Sequence, residues 1–130
     1  MFLFMLQKSG IYFYYFKYIA ILSSKEIIWT ERVVSHNIKN HVNVEHDILI
    51  NRFNDYFGDK KVVNSFHQHA IKPDDIASEM KCFAISKDRC IEGIYNIKKS
   101  IFGIQWHPER TSFDLGVASF ISDIMKKKIN

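Results

Sequence analysis

Short apolar stretches separated by polar turns run from residue 41 to residue 106, and this pattern limits the fold more than any other feature. Residues 41–45 alternate polar and apolar side chains with the period of a half-buried strand. Further strands are predicted over residues 61–69, 82–86, 90–97 and 101–106. The polar turn Lys87-Asp88-Arg89 separates two of them by so few residues that a hairpin is predicted there.

Two helices are predicted in addition to the strands. Asp47 is predicted to cap the first, over Ile48–Phe57, whose apolar side chains would share one side of a helix. Ser112 is predicted to cap the second, because apolar residues follow it at helical spacing. These apolar residues are Phe113, Val117, Phe120, Ile121, Ile124 and Met125. Strands combined with a terminal helix predict an α/β domain.

The composition of the 130-residue chain is that of one globular domain. Hydrophobic residues make up 47% of the sequence, which supplies enough apolar surface for a core and excludes a disordered chain. Two cysteines cannot form a disulfide framework, so a reducing compartment, the cytoplasm, is predicted. The net charge of +4 permits an anionic partner but does not require one.

Residues 1–25 differ from the rest of the chain because they are rich in aromatic side chains. A membrane-spanning helix needs about 20 mostly apolar residues, whereas the longest uninterrupted apolar run here is Ile11–Phe16. A secretory signal begins with positive charge, whereas the first lysine here is Lys8. A membrane anchor or signal is therefore the weaker alternative. We predict an atypical segment over residues 1–25, a domain over residues 26–130 and no membrane partner.

The segment Phe-Gly-Ile-Gln-Trp-His-Pro-Glu-Arg, residues 102–110, carries the strongest indication of chemistry. His107 and Glu109 are two residues apart at the end of a predicted strand, so both side chains leave the backbone on the same side. A carboxylate that accepts the Nδ1 proton of an imidazole selects the tautomer with a basic Nε2 and stabilises the imidazolium. This pair predicts the base and the orienting acid of a catalytic triad. The alternative is an ordinary surface ion pair.

A second polar stretch, Asn-Ser-Phe-His-Gln-His-Ala-Ile at residues 64–71, ends a strand that begins as apolar. Asn64, Ser65 and His67 carry hydrogen-bonding groups that could bind the α-amino and α-carboxylate groups of an amino-acid-like substrate. The alternative interpretation is a strand end that emerges into solvent.

These two stretches, with Ile-Glu-Gly-Ile at residues 91–94 between them, resemble in order and spacing the C-terminal half of class I glutamine amidotransferases. The resemblance is to the branch of γ-glutamyl hydrolases that cleave γ-glutamyl amides such as γ-glutamyl-γ-aminobutyrate. It runs from about residue 41 to residue 124. It implies part of a flavodoxin-like, three-layer α/β domain with a mixed sheet, a hairpin and a C-terminal helix.

The resemblance also implies roles for individual residues. His107 is expected to be the catalytic histidine and Glu109 its carboxylate partner, without any metal ion or cofactor. The residues expected beside a small γ-glutamyl amide or glutamine substrate are Asn64, Ser65 and His67. Glu92 is expected to have a structural role. His69 stands where the family commonly has glutamine, so the finer substrate preference stays open.

The family attacks its substrate with a cysteine at a strand–turn–helix elbow of the pattern Gly-x-Cys-x-Gly, which these 130 residues do not contain. Cys82 and Cys90 lie in the predicted hairpin without flanking glycines, so neither is expected to be the nucleophile. The sequence is therefore interpreted as a truncated or split hydrolase domain that is inactive alone. A complementing N-terminal half, or self-association through an uncovered sheet edge, is expected.

Other functions are consistent with parts of the sequence. The same triad would serve a glutaminase that passes ammonia to a synthetase. A non-catalytic metal-binding module could use several of the histidines, namely His36, His41, His46, His67 and His69. Lys98-Lys99 and Lys126–Lys128 could contact nucleic acid, but no helix interleaves basic and aromatic residues, so no nucleic-acid partner is predicted.

Overall fold

The computed structural model describes residues 2–7, 10–15, 21–22, 27–28, 36–38, 41–76, 78–111 and 114–129. Of residue 69 and of the strands before residue 38, only the backbone is described. The strands are β1 (Phe2–Gln7), β2 (Gly10–Tyr15), β3 (Ile21–Leu22), β4 (Ile27–Ile28), β5 (His36–Asn37), β6 (Val42–Ile50), β7 (Lys60–Phe66), β8 (His69–Ala70), β9 (Lys81–Ser86), β10 (Ile91–Asn96) and β11 (Ile101–Ile104). The helices are α1 (Asn54–Phe57) and α2 (Leu115–Met125), and single 3-10 turns cover Pro73–Asp75 and Pro108–Arg110.

One seven-stranded sheet, in the order β2-β1-β11-β10-β9-β6-β7, organises the described residues. The prediction of an α/β domain with a hairpin and a C-terminal helix is confirmed. Every strand pair among the described residues is antiparallel, so the mixed character expected of the sheet is not found within them. A parallel pair needs a crossover connection of about a dozen residues or more. The turns 87–90 and 97–100 are far too short for that.

The aromatic N-terminal strands belong to the same sheet as the later strands. Strand β1 pairs antiparallel with β11, with Phe2 opposite Ile104, and β2 pairs with β1. This hairpin therefore occupies the edge of β11 that would otherwise offer unpaired backbone groups. The division of the chain at residue 25 stays a prediction. In the part of the chain that the structure describes, no helix has the length and apolar character needed to cross a bilayer.

Helix α2 closes the core over the middle of the sheet. The Phe120 ring lies 5.1 Å from that of Phe57 and 5.2 Å from that of Phe102, centroid to centroid. Aromatic pairs at such distances add to the free energy of burial. Phe83 also packs here, and a Cβ on Gly93 would lie 2.5 Å from its Cζ, so only glycine fits at that position of β10. The Phe83 ring of β9 therefore packs directly against the backbone of β10 at Gly93.

The helix predicted over Ile48–Phe57 is wrong for most of its length. Residues 42–50 form the long strand β6, and only Asn54–Phe57 is helical. The exposed fraction alternates from 0% at Ile48 to 50% at Leu49 and 6% at Ile50, which is the period of a strand. Pairing with both β7 and β9 outweighs the helical spacing of the apolar residues, because it satisfies backbone groups on two sides.

The start of the terminal helix also differs from the prediction. Asp114, not Ser112, is the N-cap, because its side chain accepts a hydrogen bond from the backbone N–H of Val117. Ser112 and Phe113 lie outside the described residues. Of the predicted apolar positions, Val117, Phe120 and Ile124 are buried and Ile121 is half-buried, whereas Met125 is 57% exposed. The helical face was thus predicted correctly up to its last turn.

Candidate active site

His107 and Glu109 form a hydrogen-bonded pair directly after β11. The polypeptide turns there through the 3-10 residues Pro108–Arg110, and His107 Nδ1 lies 2.8 Å from Glu109 Oε1. The His107 side chain is 5% exposed and that of Glu109 is 51% exposed. When Nδ1 donates its proton to Glu109, the basic lone pair of the imidazole lies on Nε2. The geometry therefore suits proton transfer at Nε2.

Asn64, in strand β7 at the end of the sheet order, binds the backbone of His107. Its Nδ2 donates to the carbonyl oxygen of His107 at 2.8 Å, and its Oδ1 accepts from the His107 N–H at 2.7 Å. Both groups are buried, so leaving them unpaired would be costly. Asn64 thus fixes the position from which the imidazole projects, although it lies 43 residues away in sequence.

Phe66 and Arg110 form a wall beside the imidazole. The ring of Phe66 meets the ring of His107 edge-on, with 5.6 Å between centroids. The guanidinium carbon of Arg110 lies 4.2 Å from the centroid of the same Phe66 ring. A cation in this position is attracted to the face of an aromatic ring. These contacts restrict the orientations that the imidazole can adopt.

The three residues predicted to contact the substrate do not all face His107. Asn64 bonds to the His107 backbone, whereas the buried Ser65 donates through Oγ to the carbonyl oxygen of His41 at 2.7 Å. His67 Nε2 lies 3.4 Å from Glu92 Oε1. Strand β7 and its end therefore connect the His107 pair with a second group of side chains. Substrate contact by these three residues stays a prediction.

The second group, which we call the Glu92 cluster, consists of His41, His46, His67 and Glu92. Glu92 is 0% exposed and His41 is 2% exposed. The carboxylate oxygen Oε1 of Glu92 is approached by Nδ1 of His41 at 3.3 Å and by Nε2 of His46 at 3.6 Å. The contact between Glu92 and the histidines was not predicted from the sequence. One feature of the sequence could have predicted it, namely that Glu92 lies inside the apolar stretch 91–94 of a predicted strand. A carboxylate is almost never fully buried without partners, so partners for Glu92 could have been sought among the histidines.

Charge interactions within the Glu92 cluster shift its ionisation. The Glu92 carboxylate raises the pKa of His41 above its ordinary value against the opposing effect of burial, and Asp88 adds to the rise. Burial acts to raise the pKa of Glu92, but the imidazoles of His41 and His67 outweigh it and hold this pKa below its ordinary value. A buried carboxylate therefore stays ionised because imidazoles surround it.

Neither cysteine lies in a setting that activates a thiol. Cys82 is in β9 with its Sγ 3.2 Å from the carbonyl oxygen of Ala84, and Cys90 precedes β10 with its Sγ 3.3 Å from Lys72 Nζ. Burial raises the pKa of both thiols above their ordinary value. Neither stands at the strand–turn–helix elbow that exposes a nucleophile. The structure therefore gives the His107 pair no activated thiol among the described residues.

A surface cleft lies elsewhere on the domain. Its volume is about 580 Å³ and its lining includes Arg52, Lys81, Tyr95 and Lys99. None of its lining residues belongs to the His107–Glu109 pair or to the residues predicted to contact the substrate. We therefore do not assign this cleft to the substrate of the His107 pair.

The sheet, the terminal helix and the pair that ends β11 define a domain of the class I glutamine amidotransferase-like α/β type. A family model described as peptidase C26 matches residues 18–109, which is more than half of the chain and includes both His107 and Glu109. The chain belongs to this hydrolase-type family.

Two curated relatives are similar to part of the chain. Protein NtpR of Enterococcus hirae is 41% identical over 68 residues, which cover 48% of this chain and 28% of the relative. A protein of Lactococcus lactis subsp. lactis, YvdE, named as glutamine amidotransferase-like, is 32% identical over 72 residues, which cover 55% of this chain and 28% of the relative. Each match thus spans well under a third of the relative's length.

Proposed function

We propose that the chain contributes the histidine and the carboxylate of a Cys–His–Glu hydrolase that cleaves γ-glutamyl amides. The observation that carries the proposal is the 2.8 Å contact between His107 Nδ1 and Glu109 Oε1, in a backbone clamped by Asn64. Such a clamped pair supplies the general base and its orienting acid. Family membership supports a hydrolytic reaction.

The nucleophile in this proposal is a thiol outside the described residues. His107 Nε2 takes the thiol proton, and the thiolate attacks the γ-carbonyl carbon of the substrate. The imidazolium then gives the proton to the departing amine, so the C–N bond breaks and a γ-glutamyl thioester remains. Water, deprotonated by the same Nε2, attacks the thioester and releases glutamate, and the imidazolium returns the proton to the thiolate.

The proposal has three further parts, namely the activity of the chain alone, its partner and its cellular setting. The chain alone is inactive, because loss of one triad member typically lowers the rate by about 10⁴-fold or more. Its partner is a polypeptide that carries a Gly-x-Cys-x-Gly elbow and completes the domain. The setting is cytoplasmic, since Cys82 and Cys90 are both free thiols.

The test is an assay of the chain alone and after co-expression with a family polypeptide that contains the elbow. Glutamate release from γ-glutamyl-γ-aminobutyrate is measured, with glutamine as the second substrate. We expect no turnover from the chain alone and measurable turnover from the assembled pair. The variant His107→Ala in the pair should lower the rate about 10⁴-fold. The variant Glu45→Gln, which changes an exposed carboxylate on β6, should leave the rate unchanged.

The outcomes separate the elements of the proposal. Turnover by the chain alone would contradict its inactivity. An assembled pair that releases no glutamate, or one that is insensitive to His107→Ala, would overturn the catalytic role of the His107 pair. If the assembled pair released ammonia from glutamine but did not cleave γ-glutamyl-γ-aminobutyrate, its function would be that of a glutaminase and the proposed γ-glutamyl hydrolase would be wrong.

A further inference from the structure

We infer that the Glu92 cluster is a binding site for a divalent transition-metal cation of the zinc type. The four side chains each offer one ligand atom, and these atoms all lie within 4.8 Å of one another. They come from residue 41, from strands β6 and β10, and from the residue that follows β7. The proton transfers of the proposed hydrolysis use none of these four side chains, although His67 is also one of the residues predicted to contact the substrate.

The distances to the carboxylate fit tetrahedral coordination. Two atoms that each bind a tetrahedral zinc ion at about 2.0–2.1 Å lie about 3.3–3.4 Å from each other. Glu92 Oε1 lies 3.3 Å from His41 Nδ1, 3.6 Å from His46 Nε2 and 3.4 Å from His67 Nε2. An N–H···O hydrogen bond would ordinarily be shorter, at about 2.7–3.2 Å. The distances to the carboxylate are thus those between ligands of one ion, and the ligand atoms of all four side chains lie within 4.8 Å of one another.

Buried polar atoms at the centre of the cluster make no hydrogen bond of good geometry. This is the case for both carboxylate oxygens of Glu92, for Nδ1 of His41 and for Nε2 of His46. Glu92 is completely buried, and buried polar atoms ordinarily find a partner. A cation at the centre would satisfy these atoms together, which no arrangement of one proton per ring achieves as well.

The outer nitrogens of two rings are already held as in metal sites. His41 Nε2 lies 2.9 Å from Asp88 Oδ2, and Asp88 in turn accepts a hydrogen bond from Ser86 Oγ. The Nδ1 atom of His46 lies 3.2 Å from the carbonyl oxygen of Asp47. Imidazoles that bind metal almost always donate their second N–H to a carboxylate or a backbone carbonyl. His41 Nε2 and His46 Nδ1 therefore face outward partners, and His41 Nδ1 and His46 Nε2 are the atoms that would bind an ion once they carry no proton.

The donor set selects the kind of cation. Three imidazoles with one carboxylate suit zinc, nickel or copper, whereas calcium and magnesium prefer sites made of oxygen ligands. Four protein ligands leave no open position on a tetrahedral ion, which is typical of a structural site. The ion would link β10 with β7, which β9 and β6 separate in the sheet order. Its role would be to hold the curled sheet in shape.

The test uses the full chain without a histidine tag. It is treated with a chelator, and Zn²⁺ is then added while binding is followed by calorimetry and the thermal unfolding midpoint is recorded. Added Co²⁺ gives an independent readout through its visible absorption. We expect one Zn²⁺ per chain, a higher unfolding midpoint and the strong visible bands of tetrahedral cobalt. A folded chain that binds neither ion, or binds them without a change in midpoint, would overturn the inference.

Variants assign the binding to the cluster. His46→Gln removes a ligand at the more open edge of the cluster, where the side chain is 18% exposed, and should abolish tetrahedral cobalt absorption. Asp88→Ala removes no ligand atom, but it removes the carboxylate that contacts both His41 and Ser86, and it should weaken Zn²⁺ binding by about 10–100-fold. Glu45→Gln, next to His46 but exposed, is the matched control and should bind like the original chain. Unchanged binding in both His46→Gln and Asp88→Ala would place the ion elsewhere and contradict the inference.

Discussion

The two histidine–carboxylate groups of the domain differ in how their carboxylates meet water and in where their members come from. Glu109 is half exposed, contacts one imidazole and is two residues from it in sequence. Glu92 is fully buried and faces three imidazoles that lie in or next to the neighbouring strands β6 and β7, at least 25 residues away in sequence. A half-exposed carboxylate can orient an imidazole that a substrate reaches. A buried carboxylate mainly links the strands that carry its partners. We therefore expect substitution of Glu92 to lower the stability of the fold and substitution of Glu109 to lower the catalytic rate.

The largest effect on the free energy of unfolding is expected at Glu92. The variant Glu92→Ala leaves three imidazoles without the carboxylate that they surround, and breaking a buried charge group typically costs about 3–5 kcal/mol. Urea denaturation followed by circular dichroism measures the loss. The control is Glu45→Ala, an exposed carboxylate on β6 that should change stability by less than about 0.5 kcal/mol. Equal effects of the two variants would remove the contrast between the carboxylates.

A smaller loss of stability is expected at Asn64. The variant Asn64→Ala leaves the buried N–H and carbonyl of His107 unpaired, which costs about 1–3 kcal/mol. The exposed Asn51, changed to alanine, is the matched control. In the assembled pair, Asn64→Ala should also lower the catalytic rate, because the imidazole loses its fixed position. Full stability in Asn64→Ala would show that the clamp does not hold this strand end.

The smallest loss of stability is expected at Glu109. Its carboxylate is half exposed where it contacts His107, and such partly exposed ion pairs contribute less than about 1 kcal/mol to the free energy of unfolding. Glu109→Gln should therefore unfold at nearly the same urea concentration as the original chain. The same variant should lower the rate of the assembled pair, since an amide no longer favours the required tautomer. A loss of stability as large as that of Glu92→Ala would show that both carboxylates are structural.

The reactivity of the Cys82 thiol tests whether the His107 pair has a nucleophile within the described residues. Burial raises the pKa of Cys82, so little thiolate is present at neutral pH and alkylation of the native chain should be slow. The rate should rise only as the pH passes above the ordinary thiol range, or when urea unfolds the chain. Iodoacetamide labelling of the Cys90→Ser variant, followed by mass spectrometry, measures this. Rapid labelling of Cys82 at neutral pH would make it a candidate nucleophile for the His107 pair.

The local parts of the structure could be predicted from the sequence. The contact between His107 and Glu109 was predicted for an extended segment, whereas the structure forms it across the 3-10 turn Pro108–Arg110. The hairpin of β9 and β10 and the buried face of α2 were also predicted, since each depends on periodicity within one short segment. The first half of strand β6 was predicted, but its residues 48–50 were predicted as helix because their apolar spacing fits a helix as well, and only the two neighbouring strands decide between them.

The sequence by itself determined that an imidazole and a carboxylate meet after β11, because side chains two residues apart stay within reach of each other across a short turn. The tertiary structure alone decided that Asn64 clamps the backbone of His107 and that Glu92 gathers His41 and its neighbours. Those contacts join residues more than 20 positions apart, and their distances depend on sheet order and curvature. Neither quantity is a property of any local stretch of sequence, because both result from which strands pair.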